Sequence, residues 1–165
     1  MELEKRNFIQ IINMHKGTIR SLCKAYYDSI EDQKDVFQDV VLQLWKSFDT
    51  FRGESEINTW IYRVGLNTIL CRRRKETRSL KAEPIDSPHL HIASKGADDN
   101  IELLTLIFQS LKEVDRAMVM LYLEGYKYRE IAEILQQSPT NVATRFNRIK
   151  SQLKLKFNDE SYASR

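Results

Sequence analysis

One interruption governs how this chain can fold. Apolar residues recur at three- and four-residue intervals along nearly the whole sequence, and the rhythm stops only between Ser79 and Asn100. Such intervals place side chains on one face of an α-helix, whereas a half-buried strand needs strict alternation, which no segment shows convincingly. The expected fold is therefore all-α. The interruption holds Pro84, Ser87, Pro88, Ser94, Gly96 and the pair Asp98-Asp99 among few large apolar residues. A structureless stretch of this length does not fit inside a compact domain, so it reads as a flexible linker. The sequence thus predicts two small helical domains: a helical bundle over 1–78, a linker over 79–100, and a helix-turn-helix domain over 101–160.

Within the first domain, Phe8, Ile11, Ile12, His15, Ile19, Leu22 and Tyr26 form one apolar stripe. Val36, Phe37, Val40, Val41, Leu44 and Phe48 form a second, with Ser29 and Asp32 as start signals. After a break at Phe51-Arg52-Gly53, Ser55 opens a third stripe of Ile57, Trp60, Ile61, Val64, Thr68 and Ile69. Three helices with short joints can share one core. Beyond the linker, Leu103, Leu104, Ile107, Phe108 and Leu111 mark another helix, and Asp115 stands where it can cap the next. That helix carries Ala117, Met118, Met120, Leu121 and Tyr122 and stops at Gly125, a residue suited to the left-handed position past a helix end. A two-turn helix from Tyr128 to Leu135 follows, then a joint at Gln136-Gln137. Ser138-Pro139 next supplies a serine cap and a proline preorganised for the first helical position.

Composition narrows the function classes. Among 165 residues, 26 Lys plus Arg face 23 Asp plus Glu, a net charge of +3. The total hides an uneven distribution: Asp28, Glu31, Asp32, Asp35 and Asp39 precede a basic run (Arg72, Arg73, Arg74, Lys75, Arg78, Lys81), and Arg145, Arg148, Lys150, Lys154 and Lys156 form a second. Local asymmetry of this kind points to an anionic partner for the basic regions and a different kind of surface for the acidic one. With 30% charged and 42% hydrophobic residues, the chain has enough apolar material for a packed core and reads as soluble. No window approaches the roughly 18 apolar residues that membrane insertion needs, and no secretory leader pattern opens the sequence. Cys23 and Cys71 are solitary, which suits reduced thiols in a cytoplasmic setting.

The last helix can be tested by geometry. At about 100° per residue, Val142, Phe146, Ile149 and Leu153 share one narrow buried face. Thr140, Thr144, Asn147, Arg148 and Ser151 then lie opposite, flanked by Asn141, Ala143 and Arg145, without a carboxylate. Hydroxyl, amide and guanidinium groups donate to phosphates and read base edges in a major groove. A solvated polar face is the competing account; the missing acid and the Ser-Pro start favour DNA. The Arg72–Lys75 cluster ends a helix that also carries Trp60, Tyr62 and Asn67. Cations suit a helix C-terminus in any protein, but aromatic groups beside a basic track also suit single-stranded nucleic acid. Trp60 and Tyr62 point to different sides, so at least one is expected in the core. Asp35, Gln38, Asp39, Leu42, Gln43 and Lys46 group on the second helix away from most of its apolar stripe. Enzyme signals are poor: His89 and His91 lack a third ligand, the glycines build no phosphate loop, and no nucleophile and base pair up. No metal, cofactor or catalytic residue is expected.

Asp35-Val36-Phe37-Gln38-Asp39-Val40-Val41, followed by Leu44-Trp45, resembles the polymerase-binding helix of bacterial sigma factors. Phe51-Arg52-Gly53-Glu54-Ser55, Thr59-Trp60-Ile61-Tyr62-Arg63 and Asn67 resemble the adjoining segment of the extracytoplasmic-function (ECF) class. Leu123-Glu124-Gly125-Tyr126 with Tyr128-Arg129-Glu130-Ile131-Ala132-Glu133-Ile134-Leu135 resembles that class's promoter-reading helix-turn-helix. The resemblance implies a non-enzymatic transcription initiation factor. Asp35, Gln38, Asp39, Leu42, Gln43 and Lys46 would bind the coiled coil of the largest RNA polymerase core subunit. Trp60, Asn67, Arg72, Arg73, Arg74 and Lys75 would hold the opened −10 element of promoter DNA. Thr140, Asn141, Ala143, Thr144, Arg145, Asn147 and Arg148 would meet the −35 element. An anti-sigma factor is the implied regulatory partner. A free-standing helix-turn-helix regulator is the alternative, but it leaves the acidic helix and the Arg72–Lys75 cluster without a role. The sequence departs from the family at Gln136, often glycine, at Gln137, usually apolar, at Lys127, often Ser or Thr, and at Ala143, often polar or basic.

Overall fold

A computed structural model describes residues 2–51, 53, 55–82 and 107–162, with side chains for 6–51, 53, 55–79 and 107–155. Among the described residues there are helices and no strand, as the periodicity predicts. The helices are α1 (Glu2–Tyr26), α2 (Ile30–Ser47), α3 (Ile57–Ala82), α4 (Glu113–Leu123), α5 (Tyr128–Ile134) and α6 (Pro139–Tyr162), with a 3-10 turn at Phe48–Thr50. Two compact units are built on Met1–Thr77 with Glu133–Gln136 and on Arg78–Ala132 with Gln137–Arg165.

In the first unit, local chemistry sets the corner between α1 and α2. The Ser29 hydroxyl oxygen accepts the Asp32 N–H at 3.0 Å, and Gln33 Nε2 donates to the Tyr27 carbonyl at 2.8 Å. Glu31 and Asp32 in the first turn complement the helix dipole. Val36, Val40 and Leu44, four residues apart, are fully buried, as are Ile19 and Leu22 of α1 and Ile61, Leu66 and Ile69 of α3. Gly65 is the point of closest approach: a Cβ there would lie 2.9 Å from Leu22 Cδ1 and 3.6 Å from Val40 Cγ1. At one end of the bundle, Phe8 meets Trp45 and Phe48 edge-on at 5.0 and 5.3 Å, and Trp60 packs on Phe51 at 5.0 Å. Helix α3 passes Arg78 and continues to Ala82, into the stretch read as linker. Ser79-Leu80-Lys81-Ala82 contains no breaker, and the first obstacle is Pro84, which also disfavours helix at the residue before it. Residues 83–100, with His89 and His91, lie outside the described residues, as do Arg52, Glu54, Leu103 and Leu104.

In the second unit, Leu111 is buried beside α4. The expected cap at Asp115 is corrected: Lys112 occupies the cap position without a side-chain bond, and Asp115 is the third helical residue, buried. Gly125 ends α4 at φ +93°, with the Tyr126 N–H returning to the Leu121 carbonyl at 3.0 Å. Glu130 Oε2 accepts the Lys127 N–H at 2.6 Å, half of a capping box, so lysine at this position still begins α5. Gln136 takes the left-handed conformation, φ +53°, that glycine would adopt freely. Ser138 Oγ accepts the Asn141 N–H at 3.1 Å and Pro139 is the first residue of α6, as read from the sequence. Val142, Phe146 and Ile149 are buried, and Phe146 stacks on Tyr128 at 4.7 Å.

Candidate nucleic-acid interface

The turn at Gln136 and the Ser138 cap start α6 abruptly, and the Phe146 packing sets its roll. The outward face that results carries Thr140, Asn141, Thr144, Asn147, Arg148 and Ser151, all exposed, with Ala143 and Arg145 half-buried at its edges. Several of these groups are partly engaged with their own helix. Thr144 Oγ1 donates to the Thr140 carbonyl, Ser151 Oγ to the Asn147 carbonyl, and Asn141 Nδ2 to Gln137 Oε1. Each keeps acceptor capacity toward a ligand.

Sequence reasoning about one helix found no acid on this face. The tertiary structure supplies one. Asp115 of α4 lies under α6 and takes both arginines: Arg145 through Nε at 2.8 Å and Nη2 at 2.7 Å, both on Oδ1, and Arg148 through Nη2 at 3.2 Å on Oδ2. The Asp115 side chain is 5% exposed, that of Arg145 23% and that of Arg148 50%. A carboxylate taken out of water needs such partners. Arg145 is therefore largely committed to the fold, whereas Arg148 keeps half of its surface toward solvent.

The basic end of α3 is likewise sorted by its neighbours. Asn67, Arg74, Lys75 and Arg78 are exposed, and with Cys71 their spacing puts them on one face of α3. Arg72 turns away from that track: Nη1 donates to Asp39 of α2 at 2.7 Å and Nε to Glu76 at 3.0 Å. Arg73 reaches Glu76 Oε2 at 3.5 Å, and both guanidinium carbons lie over the Tyr27 ring, at 5.6 and 5.5 Å. The Tyr27 hydroxyl donates to both Glu76 oxygens at 3.2 Å. Burial, reinforced by the Glu76 carboxylate, raises the Tyr27 pKa well above that of a free phenol. The bond to Glu76, with that to Asp39, holds Arg72 more firmly protonated than a free guanidinium, against the opposing effect of burial. Trp60 is corrected as an exposed partner for bases: it is 6% exposed in the Phe48–Phe51 cluster, and Tyr62 is as deeply buried. Two aromatic side chains on different sides of α3 can both be core because α3 is packed on more than one side. Arg78 extends the track and was the residue that a cluster count alone undervalued.

On α2, Asp35, Gln38, Asp39, Leu42, Gln43 and Lys46 are all exposed, opposite Val36, Val40 and Leu44. Leu42 and Trp45, 49% and 41% exposed, add apolar surface to a charged face, a pattern that suits a partner helix. Trp45 was legible in the motif but not in the helix face, because its ring folds back on Phe8. Among the described residues no cluster of His, Cys, Asp and Glu could hold a metal, and no helix is long and apolar enough to cross a membrane.

Comparison with known proteins covers both units. The family model described as Sigma-70 region 2 matches residues 11–79, and that described as Sigma-70, region 4 matches residues 101–153. The ECF RNA polymerase sigma-E factor of Haemophilus influenzae is 26% identical, over 93% of this chain and 88% of the relative. The ECF RNA polymerase sigma factor SigW of Bacillus subtilis is also 26% identical, over 92% and 89%. Two solved structures share the fold: the sigma factor RpoE of Bartonella quintana in complex with the anti-sigma factor NepR, and CnrH in complex with the cytosolic domain of CnrY. Their TM-scores are 0.71 and 0.65, both at 20% identity, covering 90% and 94% of this chain and 95% and 90% of theirs.

Proposed function

The chain belongs to the sigma-70 family, in its extracytoplasmic-function class, and from that premise we propose which of its surfaces performs each part of the work. As a sigma factor it binds RNA polymerase core and directs promoter-specific transcription through the −10 and −35 elements. The α2 face of Asp35, Gln38, Asp39, Leu42, Gln43 and Lys46, with Trp45, seats the coiled coil of the largest core subunit. The α3 track of Asn67, Arg74, Lys75 and Arg78 follows the phosphates of the opened −10 strand. Arg72 and Arg73 shape that track more than they touch DNA, since Glu76 and Asp39 already engage them. On α6, Thr140, Asn141, Ala143, Thr144, Asn147 and Arg148 meet the −35 element, phosphate contacts setting register and base contacts setting sequence choice.

The observation that carries this reading is α6 itself, a capped helix whose outward face is hydroxyl, amide and guanidinium. The protein acts without chemistry of its own, in the cytoplasm. By likeness to the sigma factor solved in complex with an anti-sigma factor, such a protein is its further partner, one that would mask the polymerase and DNA faces. Reconstituted transcription with core polymerase tests the assignment. Arg148→Ala is expected to reduce output from the protein's own promoters about tenfold, the scale of one good base contact, and to leave core affinity intact. Asp35→Ala with Asp39→Ala is expected to lose core affinity first. Loss of core binding in the first variant, or unchanged core affinity in the second, overturns the placement. A free-standing regulator would bind promoter duplex without core and confer no start-site selection on it.

A further inference from the structure

We propose that Asp115, which lies outside the recognition helix, is a positioning residue for −35 discrimination, acting through Arg148 of α6. The inference rests on reading α6 as the DNA-facing helix. Asp115 is the third residue of α4 and 3% exposed, far too deep to touch DNA. Its two carboxylate oxygens do different things. Oδ1 is saturated by Arg145, through Nε and Nη2, which ties α6 to α4. Oδ2 takes only one nitrogen of Arg148, at 3.2 Å, from a side chain that remains half exposed.

A guanidinium held by one nitrogen is restricted in position and keeps its other donors available, and such restriction favours bidentate recognition of a base edge. Unheld, an arginine on a helix surface samples many rotamers and must be ordered by the DNA at the moment of binding. Asp115 also cancels one of two neighbouring positive charges beneath the face. The removal of that carboxylate therefore has opposite effects on the two components of DNA binding. Sequence-independent attraction to phosphates rises with the added net positive charge. Base discrimination at the Arg148 position falls with the lost preorganisation. A residue that merely stabilised the unit would weaken both together.

The test is a base-preference profile of the −35 element, measured by transcription with reconstituted holoenzyme on single-base variants of a promoter recovered from native transcripts. Core affinity and thermal unfolding are measured alongside. Arg148→Ala first identifies the positions it reads; if no position responds to it, the reading of α6 fails and the role of Asp115 with it, whereas a response to Arg148→Ala without one to Asp115→Asn overturns the role of Asp115 alone. Asp115→Asn is expected to flatten the profile at those same positions by about two- to fivefold, a fraction of the effect of a full base contact. The double variant is expected to be no flatter than Arg148→Ala alone, because the two act as one unit. Asp115→Glu, which keeps the charge but moves the carboxylate, is expected to recover only part of the discrimination and to leave preference altered at the Arg148 positions. A uniform fall in output across all promoter variants, or additive flattening in the double variant, overturns the proposal. Should Asp115→Asn fail to fold, Asp115→Glu is read by itself: it moves the carboxylate by about one bond and is expected to alter preference only at the Arg148 positions. An unaltered or uniformly lowered profile then overturns the proposal.

Discussion

The two units treat their arginines by contrasting means. On α3, Arg72 is held by carboxylates that keep a third to a half of their surface in water, Asp39 at 50% and Glu76 at 34% exposure. On α6, Arg145 and Arg148 are held by a carboxylate that is 5% exposed. An exposed pair is screened and contributes about 0–1 kcal/mol, so a partner surface or an anion can displace it. A buried carboxylate stripped of its cation is left uncompensated, and such a loss costs about 3–5 kcal/mol. Similar stretches of basic sequence therefore yield an adjustable network in the first unit and a fixed scaffold in the second.

Removing Arg145 should break that comparison most strongly. Arg145→Met leaves Asp115 with a single long contact to Arg148 and is expected to destabilise the second unit by about 3 kcal/mol. Its unfolding transition, followed by hydrogen exchange of α4 and α6 amides, should shift while that of α1 and α2 stays in place. Equal shifts in both units would remove the distinction.

Alkaline pH is expected to act next, on the first unit. Burial pushes the Cys23 thiol up to about 11, and Tyr27 is raised as well. Both groups hold their protons more tightly folded than unfolded, so their contribution is full below the unfolded values and is lost as pH rises through the folded ones. Between pH 9 and 11 the first unit should lose about 2 kcal/mol through Cys23, and Cys23→Ala should flatten that slope in urea titrations at stepped pH.

Two smaller effects sharpen the contrast. Gln136→Gly relieves a left-handed residue and is expected to stabilise the joint between α5 and α6 by up to about 1 kcal/mol, read as a higher midpoint in denaturant. Asp39→Asn removes only an exposed pair and should change first-unit stability by less than about 0.5 kcal/mol, with the difference vanishing in molar salt. A salt-resistant loss above 1 kcal/mol would show that Arg72 is as fixed as Arg145.

Much of this was legible from local pattern. Ser29, Gly125 and the Ser138-Pro139 pair mark helix ends because capping joins residues a few positions apart. The buried face of α6 followed from periodicity, since a helix carries its own ruler. Trp60 misled because a basic neighbourhood on one helix does not report the Phe48 and Phe51 rings folded over it. Asp115 misled for the opposite reason: its place before an apolar run suggested a cap, and its real partners lie 30 and 33 residues away.

Order along the chain by itself determined that there are two helical units, where most helices begin, and which side of each faces inward. It also determined the family, because the motifs that carry it are contiguous. The tertiary structure alone decided which basic side chains remain available to a partner. Availability depends on what an arginine already touches. A guanidinium has reach enough to pair with any carboxylate brought near it in space, and sequence separation places no limit on that reach.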